Sequence, residues 1–191
     1  TPTKLTEKLL YRGSTNSQPP LELTYRGRFN INSLAPLFHK GVRVTLGSWN
    51  ARALICVDEK LAFQKNRIIN KLLRRCSVLC LQETHGTNKS IRKRFQNYSH
   101  THYIHFSVFR NRTAGGIITL IAKKDFPGDA KVSANALVPG RALVSTIHFD
   151  HDKTLEVLNI HNEDLDDIQS HAVAEWGKKS NARATRTPDL Y

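Results

Sequence analysis

Glu83 is the only acid between residues 60 and 112, a stretch that also holds twelve Lys and Arg. It follows the apolar run Ser77-Val78-Leu79-Cys80-Leu81-Gln82, which has the length of a strand buried on both faces. Ligands of open α/β sheets bind beyond the carboxyl ends of strands. A carboxylate placed there among cations suits a divalent ion held against a phosphate. Magnesium takes one or two carboxylates and completes its shell with water and phosphate oxygen. The plain alternative is a surface Glu paired with a nearby Arg.

Two further apolar runs end on polar side chains. Ser48-Trp49-Asn50-Ala51-Arg52 closes a strand begun at Val42, and the Asn50 amide could orient a metal-bound water or a phosphate oxygen. Val157-Leu158-Asn159-Ile160-His161 is the third such end. Neighbouring strands would bring the three together.

Several elements must position these ends. Val42, Val44 and Leu46 alternate with polar or small residues, the period of a half-buried strand. A helix is expected from Asp58, as cap, to Arg75, with Leu61, Phe63, Ile68, Ile69, Leu72 and Leu73 on its packed face and Lys65 among the charges elsewhere. A short helix is expected over 90–96. Strands are expected at 103–109, 116–122, 141–149 and 154–160, separated by turns at Asn111 to Gly116, Pro127-Gly128-Asp129, Pro139-Gly140 and Asp150-His151-Asp152. The alternation indicates an α/β chain with a mixed sheet. Residues 1–41 read as a poorly structured extension, 42–168 as the domain, and 169–191 as a helix end and disordered tail.

The chain has 191 residues with a net charge of +13 and a pI near 10.0. That excess favours a polyanionic partner, nucleic acid above all. Arg52, Lys89, Arg92, Lys93, Arg94, Arg110 and Arg112 are the expected phosphate contacts. Residues 148–168 carry seven acids and one lysine, a solvated face or a self-complement to the basic stretch. Apolar runs are too short to span a membrane, and no secretory signal is present, so an intracellular location, nucleus included, is expected. Methionine is absent, so the chain reads as processed or as a piece of a longer frame. Cys56, Cys76 and Cys80 form neither a disulfide framework nor a zinc knuckle, and read as reduced thiols. His100, His102 and His105 resemble metal ligands in grouping, but no partner ligand is apparent, and a polar strand entry is the favoured reading.

Ser48-Trp49-Asn50-Ala51-Arg52, then a helix, then Leu81-Gln82-Glu83-Thr84-His85, then Ala114-Gly115-Gly116-Ile117, then Asn159-Ile160-His161, in that order, resemble the endonuclease/exonuclease/phosphatase superfamily. The style of these motifs is most similar to the endonuclease domain of LINE-type retrotransposons, over residues 42–165. The resemblance implies a four-layer α/β/β/α sandwich, present here in part, that hydrolyses phosphodiester bonds with Mg2+. It implies Glu83 as metal ligand, Asn50 beside the metal, and His161 as a catalytic contact to a phosphate oxygen, where related branches have His or Tyr. It implies nucleic acid as substrate, DNA ahead of RNA.

The family's later Gly-Asp-X-Asn and Ser-Asp-His elements do not follow His161. Gly128-Asp129-Ala130-Lys131 precedes it and ends in Lys. The resemblance therefore extends to the first half of the family domain, with the C-terminal half missing. Weak or absent cleavage by this chain alone is expected, as are an uncovered sheet face, marginal stability and self-association. A non-catalytic basic nucleic-acid-binding module is the alternative, and a lipid or inositol phosphatase of the same superfamily ranks lower.

Overall fold

The computed structural model describes residues 7–12, 37–39, 42–110, 114–150, 153–161 and 165–185. Two four-stranded mixed sheets form the centre. The first has the order β4-β5-β7-β6, built from β4 (Leu46–Asn50), β5 (Val78–Gln82), β6 (His102–Ser107) and β7 (Ile117–Ala122). Its β4 and β5 run parallel, as their helical crossover requires, while β7 is antiparallel to both β5 and β6. The second has the order β1-β10-β9-β8, from β1 (Glu7–Arg12), β8 (Lys131–Val138), β9 (Ala142–Asp150) and β10 (Lys153–Ile160). Short strands β2 (Leu37–His39) and β3 (Val42–Val44) pair antiparallel to each other.

The sheets face each other through Leu46, Val78, Cys80 and Ile121 on one side and Ile147, Leu155 and Val157 on the other, with Val44 of β3 joining the same cluster. Helices α1 (Glu59–Leu73) and α2 (Asn88–Phe95) close the outer face of the first sheet over Leu79, Leu81, Ile118 and Leu120. Helix α3 (Asp167–Thr185) lies on the outer face of the second, where Val173 and Trp176 meet Val144, Leu158 and Ile160. The chain is thus an α/β protein in four layers, α/β/β/α. Among the described residues no helix is long and apolar enough to cross a membrane.

Local chemistry explains the helix limits. Asp58 accepts the Leu61 amide at 2.9 Å and starts α1. Thr87 and Ser90 form a reciprocal capping box for α2. Asp166 accepts the Gln169 amide at 2.7 Å at the start of α3.

Several expectations are corrected. The inner face of the first sheet is covered by the second sheet, so the anticipated bare face is absent among the described residues. The segment expected to be an unstructured extension contributes β1, parallel to β10 with Leu9 beside Val157, and β2. Helix α3 runs to Thr185, through most of the segment expected to be a helix end and disordered tail. Strand β8 was not expected; it is an edge strand whose residues 133–136 are all exposed, so no apolar alternation marks it. On α1, Leu61 and Phe63 are exposed and Lys65 is buried with Ile69, Leu72 and Leu73. Phe63 lies two residues, or about 200° of helix turn, from Lys65, which places it off the packed face.

Candidate active site

Glu83 and Asn50 meet at one rim of the first sheet. Asn50 pairs with Gln82 across β4 and β5, so Glu83 stands one residue beyond. The pairing continues past both strand ends: Ala51 N–H donates to Gln82 O at 2.8 Å, Ala53 N–H to Glu83 O at 2.8 Å, and Ile55 N–H to Thr84 O at 3.0 Å. This continuation requires unusual backbone. Arg52, Ala53, Glu83 and His85 all have positive φ, at 41°, 60°, 48° and 56°, and among the described residues no other non-glycine does. Such conformations cost on the order of 1–3 kcal/mol each and gather at functional sites.

What holds the strained loop is Lys65. Its ammonium donates to the carbonyls of Arg52 and, at 2.7 Å, Ala53. Burial pushes this lysine below its ordinary pKa, with Cys56 opposing and Arg94 reinforcing the shift. The opposite loop is held by glycines. Thr84 and His85 N–H groups donate to Gly116 and Gly115 carbonyls, each at 3.0 Å. Gly116 has φ +85°, and a Cβ there would sit 2.7 Å from Thr84 Oγ1, so only glycine fits.

At the centre, Asn50 Nδ2 donates to Glu83 Oε1 at 2.8 Å, and Arg52 N–H donates to Asn50 Oδ1 at 3.1 Å. The amide is therefore oriented with its nitrogen toward the carboxylate. Asn50 is brought to the expected place, and it acts there first as an orienter of Glu83. His161 Nε2 lies 2.9 Å from the same Oε1. Among the described residues no partner falls on Oε2, and the Glu83 side chain keeps 22% exposure while that of His161 keeps 5%. His161 arrives from the second sheet across the sandwich, not from a neighbouring strand as expected.

Arg141, just before β9, fixes His161. The register that pairs Ala142 with Ile160 sets Arg141 across from His161, whose N–H donates to Arg141 O at 2.8 Å. The Arg141 guanidinium contacts His161 Nδ1 at 2.9 Å. An arginine only donates, so Nδ1 accepts and the ring proton sits on Nε2, facing Glu83. Arg141 is buried and also covers the Phe109 ring at 5.0 Å. The expected hairpin turn at 150–152 already implied this pairing, but a lone Arg after Pro139-Gly140 gave no chemical cue.

Beneath the site runs a buried polar bridge between the sheets. Gln82 Nε2 donates to Asn159 Oδ1 at 2.8 Å and exchanges contacts with Ser48 Oγ. Asn159 Nδ2 donates to Ile118 O at 2.9 Å. Gln82 and Asn159 belong to the expected motifs, and they lock the relative setting of β5 and β10. His85, at the rim, is pushed below its ordinary pKa by burial, with Glu83 raising it and Lys65 lowering it.

The expected phosphate contacts divide. Arg52 is exposed beside the site, and Lys89 lies exposed in the first turn of α2. Lys93 and Arg110 are exposed; Arg92 is exposed and stands over the Phe106 ring at 5.5 Å. Arg94 is tied to α1, donating to Ala62 O at 3.0 Å, a brace between helices and not an open phosphate contact. Arg112 lies outside the described residues.

Among the described residues no three His, Cys, Asp or Glu are grouped to hold a metal. His102 contacts Thr101 while His105 turns inward to Ser145 Oγ at 3.2 Å, so the three histidines do not converge. Cys56, Cys76 and Cys80 are free thiols, and burial pushes Cys80 up to about 12.

No family model matches the chain, and no curated protein matches it. Among solved structures, the AP endonuclease LMAP from Leishmania major is similar over 71% of this chain and 46% of its own, at 14% identity and a TM-score of 0.48. The chain thus spans less than half the length of that enzyme.

Proposed function

We propose that this chain carries the metal side of a magnesium-dependent phosphodiesterase site of the endonuclease type, of retroelement kinship, acting on DNA. The observation that carries the reading is the convergence of Asn50 and His161 on one oxygen of Glu83 at a strained, partly open strand end. The donor set suits Mg2+, which needs one or two carboxylates and takes water and phosphate oxygen for the rest. Glu83 would hold the ion through Oε2, and the second lone pair of Asn50 Oδ1 could face a bound water. Bound Mg2+ supplies neutralisation of a phosphate oxygen and acidification of water.

The chain's own residues do the remaining work. Asn50 keeps Glu83 extended. His161, with Nε2 beside Glu83 Oε1, is placed to offer its ring proton to a phosphate oxygen. Arg52 adds positive charge at the rim. Among the described residues no three His, Cys, Asp or Glu are grouped at this rim, and we assign no second carboxylate to activate water, a help worth roughly 10²- to 10⁴-fold. Little or no cleavage by these 191 residues follows.

The same shortage supports the second reading, a basic nucleic-acid-binding module without catalysis. The experiment is titration of Mg2+ into the purified chain with thermal melting as readout. Mg2+ should raise the midpoint of the wild type by mass action and leave Glu83→Gln unmoved. Equal responses from both proteins would overturn the metal reading and leave the binding module. Vigorous Mg2+-dependent plasmid nicking, lost in Glu83→Ala, would instead refute the expected inactivity.

A further inference from the structure

A second basic surface lies at the far end of the first sheet. Helix α1 ends there before β5 begins at Val78, and β7 ends there at Ala122, paired beside β5. Glu83 is one strand away, roughly 15 Å. Between the end of α1 and the start of β6 is a cleft of about 1140 Å³. Its rim carries Arg67, Lys71, Arg74, Arg75, Lys123 and Lys124, all exposed. No Asp or Glu is among its lining residues in the described part of the chain.

Cations at a helix C-terminus offset the macrodipole, and that accounts for Lys71, Arg74 and Arg75 in part. It does not account for Lys124, which comes from a different element; its neighbour Lys123 donates to Ser99 O at 2.9 Å and stands over the Tyr103 ring at 5.1 Å. Nor does it account for the wall, where the half-buried Tyr98 ring supplies apolar surface. Tyr98 is held in place: its hydroxyl donates to Asn70 Oδ1 at 2.8 Å, and its ring packs on Phe95 and, edge-on, on His102. A cationic rim around an aromatic wall is the arrangement that tracks a phosphate backbone while bases stack.

We propose that this cleft binds single-stranded nucleic acid, at a site separate from the Glu83 rim. An acidic peptide would satisfy the rim charges but make no use of the fixed Tyr98 ring. The proposal goes beyond the metal reading and does not depend on it.

The test is fluorescence anisotropy with labelled dT12, an abasic 12-mer with the same phosphates, and polyglutamate of matched charge. The double variant Lys71→Gln/Arg74→Gln changes only exposed side chains, and its melting curve checks folding. It should weaken dT12 binding about tenfold and flatten the log–log salt slope by about 1.4, two phosphate contacts on a single strand. The abasic strand should bind at least about fivefold more weakly than dT12. Measured without Mg2+, the loss caused by Lys71→Gln/Arg74→Gln should be the same in the wild-type and Glu83→Gln backgrounds, so failure of the metal reading and failure of this one are separable. Unchanged affinity and slope in the double variant would overturn the site. Equal binding of dT12, the abasic strand and polyglutamate would overturn the nucleic-acid assignment.

Discussion

His161 Nε2 stands 2.9 Å from Glu83 Oε1, joining the second sheet to the end of a strand in the first. The contact exists in this form because Arg141 occupies the other ring nitrogen at 2.9 Å. An imidazole has two tautomers, and a donor-only partner on Nδ1 leaves one.

Arg141→Met should therefore release the ring. Nitrogen chemical shifts of His161 should change from a single Nε2–H form to a mixture with Nδ1–H. Loss of a charged donor in a buried place should also lower stability by about 1–3 kcal/mol. Unaltered ring shifts in a folded variant would mean that Glu83 alone selects the tautomer.

Lys65 has the corresponding role for the loop. Two carbonyls, of Arg52 and Ala53, depend on its ammonium, and both residues hold positive φ. Lys65→Met retains the apolar stem and removes the donor. Stability should fall by roughly 1–3 kcal/mol, with amide exchange of Ala53 and Ile55 accelerating ahead of β7. Uniform acceleration across the first sheet would show that the lysine supports the core in general and not this loop.

Half-buried histidines should shape the response to acid. Burial pushes His85, His102 and His105 below their ordinary 6.5. In each case the unfolded chain takes up a proton first as pH falls. Stability is then fully present above about pH 6.5 and is lost as pH drops from there toward the lower folded values. The urea midpoint should fall between pH 7 and pH 5, before most carboxylates titrate. His105 has desolvation as its sole cause and points at Ser145 between the sheets, so His105→Asn should flatten the profile most. A profile as steep as the wild type's would place the acid sensitivity elsewhere.

The local sequence was enough for much of the frame. Asp58 announced the start of α1, and the run from Ser77 to Gln82 announced β5, because caps and apolar periods are properties of neighbours along the chain. Glu83 and Asn50 were legible as strand-end polar groups for the same reason. Strand β8 was not, since an exposed edge strand needs no apolar face, and Lys65 looked like one more solvent-facing charge.

What the tertiary structure alone decided is who meets across the sandwich. Gln82 reaches Asn159, 77 residues away, and Glu83 reaches His161. Which way the Asn50 amide points depends on the Arg52 N–H and the Glu83 carboxylate together. The burial of Lys65 depends on two carbonyls turned inward by positive φ. The physical reason is that local propensity is set by a few adjacent residues, whereas a hydrogen bond between sheets is set by the packing of both. Residue type can name a carboxylate as suited to chemistry; only packing determines which donors it is given and how much water still reaches it.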